Sequence, residues 1–207
     1  MARRSEHTRE QLRDLMLEAA EQLIVDKGLA GLSARAIARQ IGYTPGTIYL
    51  VFANLDDLIL QVNARTLDRL RVPMQAAVAA TDDPEQQLLG AARAYADFAR
   101  GHPNLWRACF EHRLPEGVAG PDFIDTRIAQ LVELIMAPLA RVSGAEGAAL
   151  DAAAQSLWSG VHGVCILTLT GKLHMVGGQA TEHLTDDLIT HYLAGLVSRT
   201  SPAGSRA

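Results

Sequence analysis

The stretch IARQIGYTPGTIYLVF, Ile37 to Phe52, holds two short apolar repeats parted by a glycine. Ile37 and Ile41 share one helical face, and Ile48 and Phe52 share another, each pair at i, i+4. An isolated helix shorter than about 12–15 residues is marginal in water. Both helices must therefore be held by packing against something else. Gly42 ends the first, since glycine takes up a left-handed backbone without steric cost. Thr44 reads as the cap of the next, with Pro45 at its first position, where the missing N–H is harmless. A Gly42-Tyr43 turn lets the two cross steeply over a third helix, the logic of a helix-turn-helix.

The flanking residues supply that third helix and a fourth. Leu12, Leu15, Met16, Ala19, Ala20, Leu23 and Ile24 form one apolar stripe at the helical period. Lys27-Gly28 ends it with a cation and a glycine. Ser33 is a good N-cap for a helix over Ala34–Ile41. Asn54 caps the fourth helix, with Asp56 and Asp57 favourable in its first turn and Leu55, Leu58, Ile59 and Val62 on its buried face. It runs to Leu70 or beyond, and Pro73 marks a break or kink.

Helical patterns continue from Pro84 to about Arg100, over Asn104–Arg113, Asp122–Arg141, Gly147–His174 and Thr181–Ser198. No alternating strand pattern interrupts them. The reading is all-α: a helix-turn-helix domain over residues 1–55, a connecting helix over about 55–72, a larger helical body over 73–198 and a tail over 199–207.

The bulk properties fit a globular chain. It has 207 residues, of which 48% are hydrophobic and 20% charged, enough for a sizeable core. The longest apolar run, Leu157–Leu169, is shorter than the about 20 residues that span a bilayer. No apolar stretch follows the first arginines, so no secretory signal is expected. Cys109 and Cys165 form no CxxC pair and read as buried, reduced thiols of a cytoplasmic protein. The net charge of −4 divides unevenly, +1 over residues 1–55 and −5 over the remainder. That split permits a small DNA-facing surface on an otherwise acidic body.

With Ile48 and Phe52 turned inward, Thr44, Pro45, Gly46, Thr47 and Tyr49 remain on or near the outer side of the third helix. Small residues let the backbone approach a groove, and the N–H groups and positive dipole end of a helix N-terminus favour phosphate. Threonine and tyrosine hydroxyls bond phosphate oxygens or base edges. Arg35, in the first turn of the second helix, is placed to reach a guanine edge or a phosphate. Spacing alone does not decide the matter, because helix pairs with a glycine turn also occur in all-α proteins that bind nothing.

The run SARAIARQIGYTPGTIYLVF, Ser33 to Phe52, preceded by a long helix ending in DKG and followed by ANLDDLI, resembles the DNA-binding domain of TetR-family transcriptional regulators. The resemblance spans about Arg9–Val62. Leu157-Trp158, followed by Val161-His162-Gly163-Val164, is similar to the Trp…His-Gly signature of one C-terminal subfamily. What the resemblance implies is a homodimeric repressor that leaves a palindromic operator when a small molecule binds the C-terminal domain, with no enzymatic activity. It also implies that Arg35, Thr47 and Tyr49 contact DNA, with Thr44, Pro45 and Gly46 lining the groove. Two positions depart from the family pattern: Val51 stands where histidine is frequent, and Leu55 where a phosphate-binding lysine is frequent. Arg3, Arg4 and Arg9 are candidates to compensate. The alternatives are a helical small-molecule-binding dimer with weak or lost DNA binding, or an activator of the same family.

In the body, Tyr95, Phe98, Trp106, Phe110, Trp158, His162 and Cys165 are the candidate effector contacts, although aromatics at helical spacing are equally at home in a core. An apolar, moderately aromatic body suits a hydrophobic or amphipathic effector. Leu184, Leu188, Tyr192 and Leu196 recur every fourth residue and are the candidate dimer stripe. A symmetric dimer would set two reading segments about 34–36 Å apart on DNA. His183, Asp187 and His191 share a face, but the two histidines lie about 12 Å apart along the axis, too far for one ion. No metal, cofactor or membrane partner is implied. If Leu55 marks a missing phosphate contact, Leu55→Lys should steepen the salt dependence of DNA binding, log K against log salt, by about 0.9; an unchanged slope in a salt titration would sink that reading.

Overall fold

A computed structural model describes residues 7–176 and 181–200, and among them the regular structure is all helical, with no strand. It divides into two compact units: the residues up to Asp68 with His102–Asp125, and Arg69–Gly101 with the residues from Thr126 onward.

The first unit opens with α1 (Arg9–Lys27). Its start is fixed reciprocally: Gln11 N–H donates to Thr8 Oγ1 at 3.2 Å and Thr8 N–H donates to Gln11 Oε1 at 2.8 Å, a capping box. α2 (Ala34–Ile41) has the expected cap, Ala36 N–H donating to Ser33 Oγ at 3.1 Å. It ends at Gly42, whose φ of 76° and ψ of 25° lie in the left-handed region. The third helical segment, Pro45–Leu50, is a 3-10 helix rather than an α-helix. Thr44 makes no side-chain cap bond, contrary to expectation; its hydroxyl meets that of Thr47 at 3.1 Å. Six residues are too few for an α-ladder to repay its nucleus, and i→i+3 bonds such as Thr47 N–H to Thr44 C=O at 3.0 Å close the segment instead. α3 (Leu55–Ala79) starts with Asp57 N–H donating to Asn54 Oδ1 at 2.8 Å and runs through Pro73 without ending there.

Ile37, Ile48 and Phe52 are fully buried against Met16, Leu17, Ala20 and Ile24 of α1 and Leu58 and Val62 of α3. A further helix, α5 (Pro103–Glu111), adds Leu105 and Ala108 to this core. It is pinned by Asn63 Nδ2 donating to Ala108 C=O at 3.3 Å and Asn104 Nδ2 donating to Val25 C=O at 2.8 Å. A helix far along the chain thus completes the unit that the first helices begin.

The second unit comprises the later part of α3, α4 (Pro84–Gly101), most of α6 (Asp122–Ser143), α7 (Gly147–Leu169) and α8 (Thr181–Thr200). α4 packs on both α7 and α8, and these pack on each other. Gly160 makes the last contact close: a Cβ there would stand 2.8 Å from Leu188 Cδ2. Arg93 of α4 holds Asp186 of α8 through two parallel bonds of 2.8 Å, and this keeps the carboxyl below its ordinary pKa. Among the described residues no single helix is long and apolar enough to cross a membrane.

Because two short segments depend on one shared core, Ile48→Ala should lower the unfolding free energy by about 2–4 kcal/mol, and Ser33→Ala by about 1 kcal/mol. Urea titration followed by circular dichroism measures both. A smaller loss for Ile48→Ala than for Ser33→Ala would contradict the packing account.

Candidate nucleic-acid interface and cavity

Burying Ile48 and Phe52 forces the residues between them outward. Tyr49 is 56% exposed and Leu50 72% exposed. Thr44, Pro45 and Gly46 are exposed, and Thr47 is half-buried. A Cβ at Gly46 would meet nothing within 4 Å, so packing inside the chain does not require a glycine there. Arg35 and Arg39 stand exposed on α2. The two segments thus expose two guanidiniums, hydroxyls and one phenol.

Two features of this surface were not anticipated. Leu50 is an apolar side chain at its most exposed point; the i, i+4 spacing of Ile48 and Phe52 already placed it outside. Tyr43, in the turn, bonds His7 Nδ1 through its hydroxyl at 2.8 Å. That bond brings the residues just before α1 to the helix-turn-helix. Arg3 and Arg4 lie outside the described residues. Val51 and Leu55, the two departures from the family pattern, are half-buried and pack against the core of the first unit.

The second unit contains a cavity of about 30 Å³ whose lining is almost wholly apolar. Every helix of the unit contributes: Met74 from α3, Leu88 and Tyr95 from α4, Ile135 from α6, Leu157 and Trp158 from α7, Ile189 from α8. Of the seven expected effector contacts, Tyr95 and Trp158 line it. His162 stands behind them. Its Nδ1 is 2.8 Å from the Tyr95 hydroxyl, and its ring stacks on Trp158 with centroids 4.9 Å apart and planes 25° from parallel. Burial pushes the His162 pKa below the ordinary imidazole value, so the ring is neutral at pH 7.

Phe98 and Cys165 are buried in the same unit but do not line the cavity. Trp106 and Phe110 belong to the first unit, where they pack on each other at 5.0 Å between centroids. Neither lines the cavity of the second unit. Both cysteines are free thiols, held protonated by burial with pKa values of about 12 for Cys109 and about 11 for Cys165. Cys165 is buried as expected and Cys109 half-buried.

On α8 the stripe of Leu184, Leu188, Tyr192 and Leu196 is half-buried, while Thr185, Ile189 and Leu193 form the deepest face. Leu188 reaches Gly160 and Tyr192 donates to Ala153 C=O at 3.1 Å, so part of the stripe already packs on α7 of its own chain. His183, Asp187 and His191 are exposed, and no group that could hold a metal ion occurs among the described residues.

The His162 shift has a sign. Its folded pKa is depressed, so in the window between that value and the ordinary imidazole pKa the unfolded chain binds more protons, and stability falls as pH falls through it. Thermal unfolding between pH 7 and pH 5 should therefore show a shallower loss of Tm in His162→Gln than in the wild-type chain. An identical slope would remove His162 from the account.

Comparison with known proteins agrees with this geometry. Residues 16–62 match the family model described as bacterial regulatory proteins, tetR family, and residues 88–192 the model described as tetracyclin repressor-like, C-terminal domain. An uncharacterised HTH-type transcriptional regulator of Mycobacterium tuberculosis is 27% identical over 193 residues, covering 93% of this chain and 85% of the relative. The crystal structure of a regulatory protein, SCO4313, is 26% identical and aligns with a TM-score of 0.72 over 90% of this chain and 97% of the other. The transcriptional regulator FadR from Bacillus subtilis, solved in complex with stearoyl-CoA, shares the fold at 17% identity, with a TM-score of 0.63 over 88% and 98%. The two family models together cover both units, and the chain belongs to the TetR family: it is a DNA-binding transcriptional regulator, not an enzyme.

Proposed function

We propose that the chain acts as a homodimeric repressor, released from its operator when a small hydrophobic molecule occupies the cavity of the second unit. The observation that carries the DNA-reading half is the exposure of Tyr49 and Leu50 between two buried anchors, Ile48 and Phe52. In this reading Tyr49 and Thr47 bond phosphates or base edges, and Leu50 packs on apolar base edges such as the thymine methyl. Arg35 reaches a phosphate or a guanine, Thr44, Pro45 and Gly46 let the backbone close on the groove, and Arg3 and Arg4 add contacts beside it.

For the effector, the cavity supports a hydrophobic compound, because five helices meet around an apolar void that a ligand would fill. Phe98 and Cys165 are buried in the same unit and are proposed to line the site once it is occupied. The fold relative solved with stearoyl-CoA points to the same broad chemistry.

For the dimer, the exposed sides of α7 and α8 are the proposed surface: Ser159, Gly163 and Ile166 on one helix, Leu184, Leu188 and Gly195 on the other, with Tyr192 and Leu196 behind them. A Cβ at Gly163 or Gly195 meets nothing within 4 Å in its own chain, which leaves room for a partner helix. Repression follows if the operator overlaps the promoter; an operator upstream of it would make the same molecule an activator.

Fluorescence anisotropy with DNA from upstream of the gene, and a scrambled duplex as control, tests the reading. Specific binding should fall by about tenfold or more in Tyr49→Ala and Arg35→Ala, a loss of about 1–3 kcal/mol each, with Tm unchanged because both side chains are exposed. Equal affinity of wild type and both variants would exclude this surface. Gly163→Glu should shift the sedimenting species from dimer to monomer and weaken operator binding with it.

A further inference from the structure

The cavity is too small to hold an effector as it stands. About 30 Å³ is room for a water or a methyl group, whereas an apolar cavity of about 150 Å³ is what accepts benzene. Something in its wall must move for a ligand to enter. Nine of the ten lining residues are buried, at 8% exposure or less, and their other sides are packed core. The tenth is Trp158, 37% exposed. It is the one lining side chain with cavity on one side and solvent on the other.

We propose that Trp158 is the gate of this cavity and selects what enters: a small hydrophobe whose buried end carries no charge. The proposal rests on the effector reading above. The indole has a defined closed position, stacked on His162, which is itself fixed by its bond to Tyr95. At 37% exposure the indole borders solvent, and its two side-chain torsions set its swing outward. The same motion adds an indole-sized volume to the void.

The selection against charge follows from what surrounds the opening. No lining residue is charged. The two arginines of α4 on either side of Tyr95 are already engaged, Arg93 by Asp186 and Arg100 by Asp97. His162, the titratable group facing the indole, is held neutral by burial. A carboxylate drawn in with a short chain would lose water and meet no cation, which is costly.

The test uses the full chain labelled with 5-fluorotryptophan. The sequence holds two tryptophans, Trp106 and Trp158, so two fluorine resonances result, assigned with Trp158→Phe. Hexanol and hexanoate are the probes. Hexanol should raise Tm and move the Trp158 resonance toward its solvent-exposed position, seen as a larger shift between light and heavy water, with Trp106 unmoved. Hexanoate should need about tenfold more probe for the same change, or produce none. If hexanol raises Tm while the Trp158 resonance stays put, the gate is wrong and the cavity reading survives. If hexanoate matches hexanol, the selection against charge is wrong. If neither probe changes Tm or spectrum, the effector reading fails and the gate fails with it.

Discussion

The burial of Ile48 and Phe52 against α1 is the constraint on which the proposed DNA-reading surface depends. A six-residue 3-10 segment has no stability of its own, and α2 has only eight residues. Their positions are therefore set by the shared core, and the same burial decides which neighbours face out. Tyr49 and Leu50 are exposed because Ile48 and Phe52 are not. Packing and presentation of the reading surface are one event, and this is why the surface needs no long helix.

Much of that unit is local and so was legible. Ser33, Gly42 and Asn54 act through hydrogen bonds and torsions within four residues of themselves, and each does what its residue type predicts. The Thr44 cap failed for a local reason too: a 3-10 turn places the Thr47 hydroxyl where the threonine finds it first. The membership of α5 was not legible, because Leu105 and Ala108 meet α1 only in the folded chain. Trp106 and Phe110 stand with Tyr95 among the candidate effector contacts yet lie in the first unit, because nothing in their spacing tells one apolar interior from another.

On α8 the large apolar stripe of Leu184, Leu188, Tyr192 and Leu196 is legible in the sequence, but the core-facing stripe beside it is not. The deepest face is Thr185, Ile189 and Leu193, and its first member is a fully buried threonine. A polar residue in the stripe hides it from any reading that counts apolar positions. The neighbouring stripe, all large side chains, was more visible and less buried. His162 is legible as a candidate effector contact, but its partners are not: it is a polar ring held behind two aromatic cavity walls by a phenol and an indole. Its role depends on Tyr95, 67 residues away, and no spacing within α7 reveals that partner.

Magnitudes bear on how the proposed effector cavity would control DNA binding. Filling an apolar void stabilises by about 24 cal/mol per Å³, so the closed cavity of about 30 Å³ offers only about 0.7 kcal/mol. Coupling between two sites is typically about 1–3 kcal/mol, and a tenfold release from DNA alone takes about 1.4 kcal/mol. A ligand that merely filled the existing void would fall short of a useful switch. The remainder must come from new apolar contact made as the wall opens, and contact made only in the opened form is also the differential affinity that shifts a two-state equilibrium. In the proposed mechanism, binding energy and conformational bias have one source: Trp158, the side chain that moves to admit the ligand.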